Sequence, residues 1–322
     1  MDGDVGMVIG GLREVGHAVD EGDRLREALE AEAPLERSVD LVQALGNVHA
    51  GKYHPDRLGG LFRRSLKRRP GTELVCEYVF RPIAHVVVLA LLPLRVPPPA
   101  VVVASAGLGV TAAVEIARGR LGTAALLLVA KTVLDNADGQ LARVSGRVTA
   151  LGRYLDSESD LLVNAAVFAG LGYLTGSWWL AAAAFLALTL VLSVDFNLER
   201  LYRNERGEET DPTPHAEGIG AFLARVYRSV YAPQDRLIEA FAEGRLRRLR
   251  ADGPARRAYH DRATLFVIAN FGLSTQLAAL ALCLGLGHPR VYLYLVLACG
   301  LALVPLEIRR ELRARTHRDR RL

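Results

Sequence analysis

Cysteine is scarce in this chain, and its three residues exclude a disulfide scaffold, since Cys283 and Cys299 lie inside apolar runs. The sequence begins Met1-Asp2-Gly3-Asp4, without the basic start and apolar core of a signal peptide. Its eight histidines have no metal-ligand spacing. Gly10-Gly11 and Gly16 lack the spacing and the strand–helix frame of a nucleotide-binding loop. Low hydropathy, the mark of wholesale disorder, is missing too. The 322 residues are instead 51% hydrophobic and 23% charged, with a mean hydropathy of +0.18. An ordinary charge fraction and a positive mean hydropathy coexist when apolar residues are gathered in blocks, as in membrane spans joined by charged segments.

The blocks are visible. Residues 161–194 carry no charge and are broken near their middle by Gly172-Tyr173-Leu174-Thr175-Gly176. A membrane helix needs about 20 apolar residues, so this stretch reads as two helices and a turn. Further uncharged runs cover 263–288 and 291–306, and residues 99–114 and 121–134 are apolar apart from Lys131. The expected fold is all-α and polytopic, with six spans near 100–117, 121–140, 154–174, 178–197, 263–286 and 291–308. Residues 1–74 form a polar extension with a helix expected over 20–33. The short apolar run within 75–98, followed by Pro97-Pro98-Pro99, reads as an interfacial helix in preference to a seventh crossing. The membrane domain then covers 99–308, with an insertion at 203–262 and a basic tail at 309–322.

The net charge of +5 raises two partners, nucleic acid and an anionic membrane surface. Position decides between them. Thirteen arginines fall in 198–262 and seven after Leu306, against Arg118, Arg120 and Arg290 on the other side. The positive-inside rule then puts both termini in the cytoplasm of a cell whose inner or plasma membrane holds the protein. The cluster Arg63, Arg64, Lys67, Arg68 and Arg69 reads as facing headgroups. So does the insertion, where Arg225, Arg228, Arg236 and Arg245 alternate with Tyr227 and Tyr231; no nucleic acid is expected as a partner. Trp178-Trp179 fits an aromatic belt at the outer interface.

Chemistry concentrates where the second and third spans are least apolar. Asp135 and Asp138 are three apart, and Asp156 and Asp160 four apart, so each pair shares one helix face. If the two helices are neighbours, the pairs face each other, and four converging carboxylates repel or take up protons unless cations compensate them. All-oxygen ligands point to Mg²⁺ or Mn²⁺. Two such ions could clamp a diphosphate and stabilise a leaving phosphate. Gly139 and Ala142 would let a nucleotide approach the helix backbone, Arg143 could grip phosphate oxygens bidentately, and one aspartate could act as general base towards a hydroxyl.

These residues resemble the signature of the CDP-alcohol phosphotransferase family, D-x-x-D-G-x-x-A-R followed by G-x-x-x-D-x-x-x-D. Asp135, Asp138, Gly139, Ala142, Arg143, Gly152, Asp156 and Asp160 match its fixed positions, and the likeness extends over roughly 81–306. The resemblance implies a homodimeric, Mg²⁺- or Mn²⁺-dependent membrane transferase with two ions. It would displace CMP from a CDP-alcohol, a CDP-diacylglycerol type of lipid, by an acceptor hydroxyl in phospholipid synthesis. Asp135, Asp138 and Asp156 would be metal ligands, and Asp160 the base and a further ligand. Asp135, Asp138, Gly139, Ala142, Arg143 and Gly152 would line the CDP site, open to the cytoplasm. The chain has Pro98-Pro99-Ala100 and Ser105 where members often have a Pro-Asn pair and a threonine, and Leu161 where inositol-phosphate users often have a basic residue.

The acceptor is less legible; a polyol, an amino-alcohol or another lipid all offer a hydroxyl. Arg153, Lys131 and Arg200 are candidates to bind it. Arg153 equally fits an interfacial arginine, and Lys131, one turn before Asp135, fits either a neutraliser of aspartate or a phosphate ligand. Asp195, Asn197 and Glu199 either line an acceptor pocket or end a span. Two other classes compete with the enzyme: a cation transporter, against which no internal repeat is evident, and a silent scaffold, against which the signature aspartates are intact.

Overall fold

The structure is a computed structural model that describes residues 60–62, 65–66, 69–208 and 219–319, with 219–231 described by backbone alone. Most of the polar extension, including the helix expected over 20–33 and Arg63, Arg64, Lys67 and Arg68, lies outside the described residues, as do the side chains of Arg225, Tyr227, Arg228 and Tyr231. Among the described residues the protein is all helical, with no strand.

A π-helical turn, Cys76–Phe80, runs into α1, Arg81–Leu91. There follow α2 (Pro98–Ala117), α3 (Leu121–Val144), α4 (Ala150–Thr175), α5 (Trp178–Asn204), α6 (Ile219–Arg248), α7 (Gly253–Tyr259), α8 (Arg262–Ala269), α9 (Leu273–Gly285) and α10 (Pro289–Asp319). Local chemistry sets several boundaries. Pro97 is extended and Pro98 begins α2, where a missing N–H costs nothing. Thr149 caps α4 by accepting from the Gly152 amide. The turn expected around 172–176 closes at Gly176, whose φ of 66° ends α4 in the left-handed region.

Four segments are long and apolar enough to cross a membrane: Pro98–Ala117, Trp178–Asn204, Gly253–Gly285 and Pro289–Asp319. At 24 and 26 residues, α3 and α4 have the length but not the apolarity, because they carry the aspartates and arginines of the signature. The fifth expected span is not one helix. It divides into α8 and α9 around Asn270-Phe271-Gly272, where backbone groups of Thr72 and Leu74 and the side chain of Glu73 intervene. The Asn270 amide donates to the Thr72 carbonyl at 2.9 Å and its Oδ1 accepts from the Leu74 N–H at 2.9 Å. Glu73 Oε1 accepts from the Thr275 amide at 2.7 Å and from its hydroxyl at 2.9 Å. A carboxylate at the start of α9 thus satisfies donors that helical bonding leaves free.

The main core joins α2, α3, α4, α5, α9 and α10 through Ile116, Leu128, Val167, Leu171, Leu188 and Leu280. The contact of α2 with α4 is close because Gly170 has no side chain: a Cβ there would lie 2.6 Å from the Ala113 carbonyl oxygen. Large apolar residues also point outward, among them Trp179, 90% exposed, with Leu126, Leu162, Leu186 and Leu301. So much exposed apolar surface suits lipid better than water. At 11 residues α1 is too short to span; it buries Ala84 and Val88 against Val101, Ala137 and Leu141.

Within the insertion, α6 packs on α4 and α5, and α7 packs on α10. Some of the arginines expected to face headgroups are instead engaged within the protein. Arg245 pairs with Glu311 at 3.0 Å, and Arg256 pairs with Glu205 at 2.7 Å and with Glu243. Arg236, Arg247 and Arg248 are exposed.

A carboxylate cleft between α3 and α4

Helices α3 and α4 both pack on α2, and the two halves of the signature meet through side chains that reach across the space between them. Asp135, Asp156 and Asp160 each offer a carboxylate oxygen, and these oxygens lie within 4.8 Å of one another. Asp138, one turn along α3, is buried, and its Oδ2 has no hydrogen-bond partner. Ser105 of α2 is buried beside the cluster, its hydroxyl 3.3 Å from Asp135 Oδ1. One cation is already present: Lys131 Nζ lies 2.9 Å from Asp135 Oδ1 and also contacts Asp160. Four carboxylates facing one ammonium leave negative charge uncompensated. An orphaned buried carboxylate oxygen beside three converging ones suits a hard divalent cation.

A cleft of about 600 Å³ opens onto this cluster. Gly139, Ala142, Arg143, Gly152 and Arg153 line it together with Asp135, Asp138, Asp156 and Asp160. Gly139 leaves room for its neighbour, since a Cβ there would sit 3.2 Å from Arg143 Nη1. Arg143 Nε donates to the Ser65 carbonyl at 2.6 Å, which fixes its guanidinium in the cleft lining. Arg147 and Arg153 are exposed on the cleft wall, and neither has an ion-pair partner among the described residues.

The acceptor candidates separate. Arg153 lines the cleft, and Lys131 lies beneath it, 1% exposed among the carboxylates. Arg200 turns away and pairs with Glu239 of α6 at 3.1 Å, so the structure does not bring it to the cleft. Asn197 likewise donates to Asp235 at 2.7 Å. Asp195 lines the cleft, and Glu199 pairs with Arg69 at 3.0 Å.

Sequence reasoning took Arg69 to face headgroups, whereas it turns inward to Glu199 and Asp195, and it overlooked the other upstream contributors. Arg69, Glu73, Cys76 and Arg81 all line the cleft. Ser65 donates to Gln140 Oε1 at 3.3 Å, and the Gln140 amide donates to the Arg81 carbonyl at 3.0 Å. Burial acts to lower the Arg69 guanidinium, but Asp195 and Glu199 outweigh it and hold it above its ordinary value. Burial pushes the Glu73 carboxyl up, against the pull of its two Thr275 donors. A lone acid, Glu73, next to a basic run was the available signal.

Fold and site together define an all-helical integral membrane protein with an acidic, metal-competent cleft. The family model for CDP-alcohol phosphatidyltransferase matches residues 87–234, and the chain carries a domain of that family there. The match covers the end of α1, all of α2 to α5 and the first half of α6, and so includes the whole carboxylate cluster. Members are transferases of phosphoryl groups in lipid synthesis and are generally dependent on divalent metal. No curated protein matches the chain.

Proposed function

We propose that the protein is a Mg²⁺- or Mn²⁺-dependent membrane transferase that displaces CMP from a CDP-alcohol, a CDP-diacylglycerol type of lipid, and joins the remaining phosphate to an acceptor hydroxyl. The observation that carries this reading is the convergence of Asp135, Asp156 and Asp160, with the unpartnered Asp138 oxygen, on a cleft that Arg143 borders. Asp135, Asp138 and Asp156 would hold the divalent ion, which would offset the diphosphate charge when bound. Gly139, Ala142 and Gly152 leave space for the nucleotide, and Arg143 supplies donors to its phosphates. Asp160 takes the proton as the acceptor oxygen bonds to phosphorus and the P–O bond to CMP breaks. Arg153 on the cleft wall suits an acceptor with negative charge.

The same reading takes α3 and α4 as spans two and three of six, made tolerable in lipid by the surrounding helices. It puts the cleft and both termini on the cytoplasmic side of the membrane, and two chains in a homodimer. The test is CMP release from radiolabelled CDP-diacylglycerol by protein in nanodiscs with Mg²⁺, across glycerol phosphate, inositol, inositol phosphate and serine. Acceptor-dependent release that disappears in Asp160→Asn supports the reading. Absence of both release and nucleotide binding refutes it.

A further inference from the structure

Part of the cleft lining comes from outside the region that the family model matches. Arg69, Glu73, Cys76 and Arg81 precede residue 87, where that match begins. Three of the four have other work. Glu73 accepts from the Thr275 amide and hydroxyl, the Cys76 thiol donates to Asn136 Oδ1 at 3.1 Å, and Arg81 pairs with Glu77. Arg69 differs. Two carboxylates of α5 stand near it, Glu199 Oε2 at 3.0 Å from Nε and Asp195 Oδ2 at 3.8 Å from Nη2. Yet Nε has no hydrogen-bond partner, so the Glu199 oxygen lies off its N–H axis, and 3.8 Å is beyond hydrogen-bond reach. Charge holds the guanidinium in place while its donors stay unspent among the described residues. The pair is not needed as a tether either. Asn270, Thr275, Gln140 and Arg143 already fasten the segment through Thr72, Leu74, Glu73 and Ser65.

We propose that Arg69 is a specificity-determining residue whose guanidinium binds the oxyanion of an anionic acceptor, an alcohol that carries phosphate or carboxylate beside its attacking hydroxyl. This inference rests on the transferase reading above and narrows its acceptor. A planar guanidinium offers parallel N–H groups to two oxygens of one phosphate or carboxylate, which an ammonium cannot. Space for the nucleotide lies along Gly139, Ala142 and Arg143 of α3 and Gly152 of α4, whereas Arg69 is held against α5. The CDP-alcohol and the acceptor thus meet different arginines. The oxyanion is gripped and not transformed: the hydroxyl oxygen of the acceptor bonds to phosphorus, its proton passes to Asp160 and CMP departs. Without Arg69 an incoming oxyanion would meet Asp195 and Glu199 directly, so its removal penalises anionic acceptors in particular. Because Arg69 lies ahead of residue 87, the choice of acceptor belongs to the upstream segment, while the chemistry stays with the signature.

The experiment measures CMP release by the full chain in phosphatidylcholine nanodiscs with CDP-diacylglycerol and Mg²⁺. Acceptors are offered in matched pairs: glycerol phosphate against glycerol, inositol phosphate against inositol, and serine against ethanolamine. The wild type is expected to favour the oxyanion-bearing member of at least one pair, the first two reporting phosphate and the third carboxylate. For that acceptor Arg69→Gln should raise KM by about 10- to 100-fold, as for a lost hydrogen bond to a charged group. Its kcat should fall much less, and CMP affinity should be retained. Arg69→Lys, which keeps the charge without the fork, should recover part of the KM. Equal or better use of the member without an oxyanion, in every pair, overturns the inference and leaves the transferase reading standing. So does an Arg69→Gln loss that falls alike on KM, kcat and CMP affinity, the mark of a structural ion pair. No release with any acceptor overturns it too, and the transferase reading falls with it when CMP binding is also absent. Should Arg69→Gln not fold, Arg69→Lys takes its place: a raised KM for the oxyanion acceptor is expected, and an unmoved one overturns the inference.

Discussion

Two charged clusters in this protein differ in one respect that separates function from support. Between α3 and α4, four aspartates face one lysine. Where α5, α6, α7 and α10 meet, acids and bases pair off. Arg256 binds Glu205 and Glu243, Arg310 binds Glu307, and Arg309 and Arg313 bind Asp261. Tyr259 donates to Glu307 at 2.6 Å, beneath the Arg310 guanidinium. The second cluster satisfies itself, and its work is to fasten α7 and the insertion to α10. The first cannot be satisfied by the chain, since its excess charge is all of one sign and faces a cleft. Unbalanced charge of one sign at a cleft therefore marks the place where a ligand must supply what the fold withholds.

Removing a carboxylate from each cluster should break this contrast in opposite ways. Asp135→Asn or Asp156→Asn is expected to lower turnover by on the order of 10³-fold, as when a group that stabilises transition-state charge is lost, and to weaken Mn²⁺ binding. Asp160→Asn should abolish turnover to a similar degree while CDP binding survives. Equal loss of nucleotide binding in all three would sink the separate role of Asp160, and titration calorimetry with CMP reads this directly. Metal itself is the next lever. Adding Mn²⁺ to chelator-stripped protein at about 100 times its Kd should stabilise the fold by about 2.7 kcal/mol. A thermal melt that does not move on metal addition would contradict a preformed site.

The carboxylate cluster was legible in the sequence because it is local. Eight fixed residues at constrained spacing put Asp135 with Asp138, and Asp156 with Asp160, on helix faces that the structure does bring together. Apolar runs likewise marked the long helices. What sequence spacing did not carry is contact between distant segments. Asn270 and Thr275 meet Thr72, Leu74 and Glu73 across about 200 residues of chain, and no periodicity announces such a meeting. The uncharged run at 263–286 therefore read as one unbroken span; the segment Gly253–Gly285 is indeed apolar and long enough to cross, but it divides into α8 and α9. Lys131 admitted two readings from its position alone. Its two carboxylate contacts favour the neutralising one, while Arg200, equally plausible at the end of α5, found Glu239. Such choices depend on which helix packs alongside, which is settled by tertiary structure.

The upstream segment stands between the two clusters in kind: it is structural, yet it borders the cleft. Glu73→Gln keeps the shape of the side chain but weakens its hold on the Thr275 amide and hydroxyl. Asn270→Leu removes the donor to Thr72 and the acceptor for Leu74. Each should cost about 1–3 kcal/mol, the usual penalty for leaving a buried polar group unpaired. Thermal unfolding in one detergent gives the comparison. If neither substitution moves the melt, these residues do not hold the start of α9.

The smallest effect belongs to the self-satisfied cluster. Its hydrogen bond from Arg256 holds the Glu243 carboxyl below the ordinary glutamate value. A depressed carboxylate contributes stability that is fully present above its unfolded pKa of about 4.3 and is lost as pH falls through the folded value. Glu243→Gln should therefore lower stability at pH 7, and the difference should shrink as pH falls through the folded value and the wild-type glutamate takes up its proton. Because the pair is partly open to solvent, the loss at pH 7 should stay within about 1 kcal/mol and shrink in high salt. Turnover should be unchanged, since Glu243 is absent from the residues that line the cleft. A melt difference between variant and wild type that does not shrink as the solution is acidified would show that Glu243 acts through packing, and would remove the electrostatic half of the contrast between the clusters.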